Sequence, residues 1–154
     1  MCSSFSVAVP PAGRPTIEAL FTDTLGHDAL YDDADRCAPC GRHRCRAKET
    51  VLVRKPQVLV LHLKRWAFNR ALGRPVKIPT HVSFETLLPL DAVHTYDLRS
   101  VIVHTGHVGG CHYTAFVRAR DNLWYHCDDE AAPRMCSTEE ALRAQAYMLV
   151  YERR

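Results

Sequence analysis

The sequence lacks the long apolar segments of a membrane protein. Apolar runs such as Val58–Leu61 are far too short for a membrane-spanning helix. The first residues also lack a positively charged stretch followed by an apolar core, which is the pattern of a secretory signal. We therefore expect neither insertion into a membrane nor a membrane partner.

Neither sign of charge dominates the chain. Its 20 lysines and arginines stand against 17 aspartates and glutamates, which gives a net charge of +3, and only 8% of the residues are aromatic. The basic residues are scattered, whereas proteins that bind nucleic acid gather them on one face or along one helix. The sequence therefore gives no support to a nucleic-acid partner.

A disulfide framework is also missing. The chain has seven cysteines, an odd number, and they are unevenly spaced along it. Free thiols are typical of reducing compartments. We therefore expect the protein in the cytoplasm or the nucleus.

What the chain does contain is the composition of an ordinary globular domain. Its 154 residues, 47% hydrophobic and 24% charged, are enough for one domain with a modest core. Short apolar runs predict strands, and two stretches that begin with capping residues predict short helices. We therefore expect an α+β fold, a mostly antiparallel sheet with two short helices. The main predicted strands are Phe5–Val9, Val51–Val53, Val58–Leu63, Leu98–Val103 and Ala146–Glu152, and the helices start after Thr16 and Ser137.

The residues that follow the strand Val58–Leu63 mark the end of a nearly continuous apolar run. Such a run is typical of a central strand that is covered on both faces. We expect Arg65 to leave the strand toward solvent, and Trp66 and Phe68 to pack against the core.

The segment Thr105–Asp129 carries the most specific chemistry. Two β-like runs, Tyr113–Val117 and Leu123–Cys127, flank a polar turn and predict a hairpin. If the hairpin is centred on residue 120, His112 lies opposite Asp128, and opposed residues share a face. A carboxylate in contact with an imidazole fixes its tautomer and stabilises its protonated form. We therefore predict His112 as a general base and Asp128 as the group that orients it.

Alternatives exist for both members of this pair. His104 and His107 flank the glycine-rich loop that leads into His112 and contains Gly106, Gly109 and Gly110, but neither has a carboxylate candidate across the hairpin. Asp129 competes with Asp128, yet successive strand residues point to opposite faces, so we expect Asp129 to face away from His112. His112 and Asp128 are preferred on these grounds.

A nucleophile to complete such a pair is not evident. Cys111 and Cys127 are next to His112 and Asp128 in sequence, so in a strand each points to the opposite face. Cys2 and Cys136 also lack the helix N-terminal setting that lowers the pKa of a reactive thiol. We therefore expect the nucleophile outside this chain.

A second group of candidate ligands lies early in the chain. Cys37 and Cys40 form a C-x-x-C pair that can hold one zinc ion, and a structural zinc site needs four ligands. Cys37, Cys40, His43 and Cys45 supply four within nine residues, in a loop so tight that it would strain tetrahedral geometry. The alternative interpretation is two exposed thiols without metal.

Several stretches resemble the catalytic domain of ubiquitin-specific proteases, the papain-like cysteine deubiquitinases. G-G-C-H-Y-T-A-F-V-R (109–118) and W-Y-H-C-D-D (124–129) are similar to that family's histidine and aspartate segments. K-P-Q-V-L-V-L-H-L-K-R-W (55–66) resembles its central strand, and Q-A-Y-M-L-V-Y-E-R (145–153) its final strand. The stretch Phe5–Cys40 fits the segment of the family's domain that has a strand, a short helix and a C-x-x-C pair. The resemblance runs along nearly the whole chain in the family's order.

The resemblance implies a fold and a division of the chain. It implies the C-terminal half of one papain-like domain, with residues 1–50 as a finger and linker portion carrying half a zinc ribbon, and residues 51–154 as the palm. The family's N-terminal cysteine box has no counterpart in this sequence. Cys111 also stands where the family usually has glycine, and a side chain there is expected to narrow the channel or tilt the loop.

The resemblance also implies an activity and a partner. The family cleaves the bond after the C-terminal glycine of ubiquitin, so ubiquitin or ubiquitinated proteins are the expected partners. His112 and Asp128 take the catalytic positions, and Gly109, Gly110, Cys111 and Tyr113 are expected to line the channel for the substrate's tail. No cofactor is required, and a structural zinc ion at Cys37 and Cys40 is the one metal considered.

Two alternatives of other classes remain open. The chain could be a ubiquitin-binding remnant that keeps the palm surface without chemistry. It could also be a small zinc-binding adaptor organised on Cys37 and Cys40.

Overall fold

A computed structural model describes residues 1–30, 46–107 and 110–154. Within these ranges the chain forms twelve strands and two short helices. The elements in chain order are β1 (Cys2–Ala8), α1 (Ile17–Leu25), β2 (His27–Leu30), β3 (Arg46–Glu49), β4 (Val58–Lys64), β5 (Trp66–Asn69), β6 (Arg74–Lys77), β7 (Leu87–Pro89), β8 (Thr95–His107), β9 (Gly110–Arg118), β10 (Trp124–Cys127), β11 (Arg134–Cys136), α2 (Thr138–Arg143) and β12 (Ala146–Arg153).

One eight-stranded sheet organises the molecule. Seven of its strands follow the order β1-β4-β12-β8-β9-β10-β11, and β7 pairs with one end of β8. β1 and β4 run parallel, while the other pairs of this sheet are antiparallel. Two further hairpins, β2-β3 and β5-β6, stand outside it. The predicted α+β fold, a mostly antiparallel sheet with short helices, is confirmed.

The core lies on one face of this sheet. Alternate residues of β4, namely Leu59, Leu61 and Leu63, are fully buried, and those between them are half-buried. The buried face continues across β12 and β8, and Phe21 of α1 packs edge-on against Phe5 of β1 with ring centroids 5.4 Å apart. β4 is thus an inner strand next to the edge strand β1, rather than the central strand of the sheet, and one of its faces is covered more completely than the other.

Both predicted helices are present, and their caps explain where they begin. The Thr16 side chain accepts a hydrogen bond from Ala19 N at 3.3 Å, and the Ser137 side chain accepts one from Glu140 N at 3.1 Å. Each bond satisfies a backbone N–H that the first helical turn leaves without a partner. Within the described ranges no helix has the length and apolar character needed to cross a membrane.

Three expectations on either side of β4 are wrong. Val51–Val53 forms no strand, and Val53 is 84% exposed. Phe68 is 65% exposed at the β5-β6 hairpin rather than packed. Arg65, expected in solvent, is buried with 1% of its surface exposed. It is held there because its guanidinium donates to Ala146 O at 2.6 Å and to two further carbonyls.

The hairpin β9-β10 is formed as predicted, with its centre displaced. Trp124 pairs with Arg118 and Cys127 with Ala115, so the strands are centred on residue 121 rather than 120. The turn between them closes through Asn122, whose φ of 66° and hydrogen bond to Ala119 O at 3.0 Å set its shape. This register decides which residues face His112.

Candidate active site

His112 and Asp128 are in direct contact. His112 Nε2 lies 2.6 Å from Asp128 Oδ1, a short and charge-assisted hydrogen-bond distance. Both side chains are nearly half exposed, at 45% and 46%, so the pair lies open to a substrate. An ionised carboxylate only accepts, so Nε2 carries the proton and donates it, and Nδ1 is left with a free electron pair. The pair therefore has the form of a base with its orienting carboxylate.

The contact is diagonal rather than directly opposed. Asp128 is the first residue after the end of β10. If the observed register continued, Asp128 would pair with Thr114, which lies two residues along β9 from His112. Residues two apart on one strand share a face, so the same-face prediction holds although the predicted opposition does not. A diagonal neighbour is within reach of a long imidazole side chain.

Asp129 also approaches His112, against expectation. Its Oδ2 lies 3.6 Å from His112 Nδ1, and its side chain is 75% exposed. β10 ends at Cys127, so the alternation of strand faces no longer applies at Asp129. Asp129 has a φ of 43°, in the left-handed region, and the turn is closed by a hydrogen bond from Ala131 N to Asp128 O at 2.9 Å. The imidazole therefore has a carboxylate near each nitrogen.

The loop before His112 requires glycine at one position. Gly106 has a φ of 98°, and a Cβ there would lie 2.2 Å from Gly110 O, closer than any side chain tolerates. Cys111 pairs with this glycine across β8 and β9 and is exposed. Gly110 and Tyr113 are exposed as well, while Gly109 lies outside the described residues. The described channel candidates are therefore at the surface beside His112.

His104, an alternative base, has a different environment. It is only 5% exposed, and its ring is in contact with three aromatic rings, those of Trp66, Tyr113 and Tyr147, at centroid distances of 5.9, 4.8 and 5.2 Å. Burial, followed by the charge of Lys77, lowers the pKa of His104 below its usual value. It is thus a neutral histidine of the interior. The side chain of His107 lies outside the described residues.

This aromatic cluster of Trp66, His104, Tyr113 and Tyr147 was not foreseen from the sequence. It supports β9 immediately after His112, because Tyr113 belongs to it and pairs with His104. Lys77 of β6 donates to His104 O at 2.5 Å and so ties the β5-β6 hairpin to β8. The only sequence signal was the aromatic and histidine content of four separate strands, and this content does not show that the four side chains contact one another.

The described cysteines do not join the pair. The His112, Asp128 and Asp129 ligand atoms lie within 4.8 Å of one another, and within the described ranges that group contains no cysteine sulfur. Burial raises the pKa of the Cys136 thiol, which makes it a poorer source of thiolate. Cys37 and Cys40 lie outside the described residues, so the half zinc site remains a prediction.

A family model and curated proteins match this chain. The model described as ubiquitin carboxyl-terminal hydrolase matches residues 32–151. Ubiquitin carboxyl-terminal hydrolase 44 of Ailuropoda melanoleuca is 31% identical and covers 99% of the chain but 24% of its own length. Ubiquitin carboxyl-terminal hydrolase 4 of Rattus norvegicus is 34% identical over 92% of the chain and 15% of its own length. The chain therefore spans at most about a quarter of these relatives.

Solved structures match the fold over almost the whole chain. A yeast SAGA DUB module structure matches with a TM-score of 0.83 at 26% identity, covering 97% of this chain and 34% of its own. A SAGA DUB module bound to ubiquitin aldehyde matches with a TM-score of 0.79 at 25% identity, covering 97% of this chain and 35% of its own. The fold of this chain is thus similar to about one third of each of those chains.

Proposed function

Because the chain belongs to the ubiquitin carboxyl-terminal hydrolase family, we propose that it provides the base of a thiol-dependent ubiquitin hydrolase. The observation that carries the proposal is the 2.6 Å contact between His112 Nε2 and Asp128 Oδ1. The bond cleaved would be the peptide or isopeptide bond that follows the C-terminal glycine of ubiquitin.

The pair would accept a proton and release it again in each of two steps. Asp128 holds the proton on Nε2, so His112 Nδ1 accepts the proton of a cysteine thiol as the thiolate attacks the carbonyl carbon. The protonated imidazole then gives that proton to the departing amine, leaving a thioester. Water attacks the thioester and gives a proton to His112, which returns it to the departing sulfur, so the thiol is restored and ubiquitin leaves with a free carboxylate.

The nucleophilic cysteine would come from outside the residues of this chain. No described thiol lies within the group of His112, Asp128 and Asp129 ligand atoms, and the resemblance places the family's cysteine box before the part of the domain seen here. Hydrolysis would therefore need a further segment or chain that brings a thiol to the Nδ1 side of His112.

The tail of ubiquitin would pass along the exposed residues beside His112. Gly110, Cys111 and Tyr113 are at the surface in β9, and Gly109 is assigned to the same wall by resemblance. Similar DUB modules have been solved bound to ubiquitin aldehyde and to monoubiquitin, which supports ubiquitin as the partner. The uneven set of seven cysteines supports a reducing compartment, the cytoplasm or the nucleus.

Binding of the tail is the first thing to test on this chain. Isotope-labelled chain is titrated with ubiquitin and, as the matched control, with ubiquitin that lacks its C-terminal diglycine. We expect the amide signals of Gly110, Cys111 and Tyr113 to move with full-length ubiquitin and much less with the control. Equal shifts with both forms would contradict the proposed channel.

The location of the nucleophile is tested with ubiquitin that carries a thiol-trapping electrophile at its C-terminus. The chain and its His112→Ala variant are each incubated with this probe, and adducts are detected by mass. We expect no His112-dependent adduct from either. An adduct that forms on the chain and disappears in His112→Ala would show that one of its own cysteines is the nucleophile.

A further inference from the structure

The geometry points to a Zn²⁺ site formed by His112 Nδ1 and Asp129, on the side of the imidazole that the proposed mechanism reserves for the thiol. Binding itself depends only on the described side chains. Its consequence, inhibition of hydrolysis, rests on the proposed function. The site differs from the half zinc site at Cys37 and Cys40.

Two electron-pair donors face each other at this point. Because Nε2 carries the proton held by Asp128, the Nδ1 of neutral His112 has only a lone pair to offer. The Asp129 Oδ2 atom on that side is 3.6 Å away, beyond hydrogen-bond distance, and an ionised carboxylate brings no proton. A shared cation would satisfy both atoms at once.

The separation fits a metal ion of the size of zinc. Zinc binds nitrogen and carboxylate oxygen at about 2.1 Å, so two ligands of a tetrahedral ion lie about 3.4 Å apart. The observed 3.6 Å between Nδ1 and Oδ2 needs an adjustment of a few tenths of an ångström. Asp129 is 75% exposed, so its side chain is free to make that adjustment and water can fill the remaining positions.

Asp128 would support the metal without binding it. Metal-bound histidines usually donate their other ring N–H to a carboxylate, which fixes the ring and raises its basicity. The 2.6 Å contact from Nε2 to Asp128 already provides this arrangement. Among the described ion pairs, both carboxylates pair with His112 and neither with a lysine or arginine. No lysine or arginine among the described residues therefore competes for the position.

The donor set selects the class of ion. An imidazole nitrogen with a carboxylate suits zinc and other transition ions, whereas magnesium and calcium prefer oxygen ligands alone. An ion on Nδ1 occupies the lone pair that would accept the thiol's proton. In a protein that contains the nucleophile, Zn²⁺ would therefore inhibit hydrolysis, and a chelator would restore it.

The test measures binding at His112 directly. The ring nitrogens of His112 are followed by NMR in the purified chain while free Zn²⁺ is raised in a metal buffer, so that binding at Cys37 and Cys40 is not mistaken for it. Asp129→Asn removes the proposed oxygen ligand and keeps a residue that accepts a left-handed φ. Glu130→Gln, an exposed neighbour, is the matched control for the loss of one charge.

We expect Zn²⁺ to shift the Nδ1 signal of His112, and Asp129→Asn to weaken that response by about tenfold or more, because a lost ligand costs at least as much as a lost outer-shell partner. Glu130→Gln should leave it within about twofold of the parent. The inference is overturned if Nδ1 is unaffected up to millimolar free Zn²⁺, if Asp129→Asn responds like the parent, or if Glu130→Gln weakens binding equally. None of these readouts depends on hydrolysis, so failure of the proposed function would leave them unchanged.

Discussion

Arg65 gives the sharpest stability prediction of the structure. Its guanidinium is buried and donates to Ala146 O at 2.6 Å, Thr80 O at 2.7 Å and Ile78 O at 3.3 Å. It thereby joins the end of β4 to the segment after β6 and to the start of β12. We predict that Arg65→Met destabilises the chain strongly, because methionine fills the space but cannot donate to the three carbonyls.

The magnitude follows from the partners. A buried acceptor left without its donor costs about 1–3 kcal/mol, and the two short bonds to Ala146 and Thr80 are the ones that matter most. Part of that loss is offset, because Arg65 Nη2 is itself buried without a partner and burial lowers the pKa of the guanidinium. The net loss in free energy of unfolding is about 3 kcal/mol. Small domains have only about 5–15 kcal/mol in total.

Urea unfolding followed by circular dichroism measures this loss. Arg65→Met should lower the urea midpoint without changing the slope of the transition. The midpoint of Arg65→Lys should lie between those of the parent and Arg65→Met, because an ammonium cannot reach all three carbonyls. Lys64→Met, at the exposed neighbouring position, is the control and should unfold like the parent within about 0.5 kcal/mol. A loss below about 1 kcal/mol for Arg65→Met would refute the reasoning.

Three further predictions use other groups. The pKa of His104 is lowered by burial, so its contribution to stability is complete above the usual pKa of 6.5 and is lost as pH falls below that value. His104→Phe should remove this pH dependence of the urea midpoint, and an unchanged pH dependence would contradict the prediction. Backbone hydrogen bonds lower the pKa of Asp91 to about 2, so the midpoint of its carboxyl signal in an NMR titration should lie near that pH. A midpoint near 3.8 would contradict this prediction. In a protein that contains the nucleophile, Asp128→Asn should reduce kcat/KM by about 100-fold or more while Glu130→Gln retains it, and full activity of Asp128→Asn would remove the carboxylate from the mechanism.

Local signals in the sequence were enough to predict many of the elements. Thr16 and Ser137 mark helix starts because their hydroxyls accept from backbone N–H groups of the first turn, a contact between residues three apart in the chain. The apolar run at Val58–Leu63 likewise predicts β4. Both signals depend on neighbours in sequence. Val51–Val53 carries the same kind of signal but pairs with no strand in the part of the chain that the structure describes, and both valines remain exposed.

Arg65 and the aromatic cluster could not be predicted in this way. The carbonyls that hold Arg65 lie 13, 15 and 81 residues away along the chain. An arginine after a strand ordinarily extends to water, and only the sheet topology places three acceptors around it. The cluster of His104 with Trp66, Tyr113 and Tyr147 depends in the same way on four strands meeting.

The candidate site shows where strand logic ends. The alternation of faces correctly placed Asp128 on the side of His112, even though the hairpin is centred one residue later than predicted. The same logic failed for Asp129, because alternation holds only while the chain stays extended and β10 stops at Cys127. The left-handed turn at Asp129 then brings a second carboxylate to the free nitrogen of the imidazole. The Nδ1 atom of His112, which would accept the thiol's proton, therefore lies next to the Asp129 carboxylate, which favours a cation at that position. For this reason the Nδ1 side and the Nε2 side of His112 have to be tested separately.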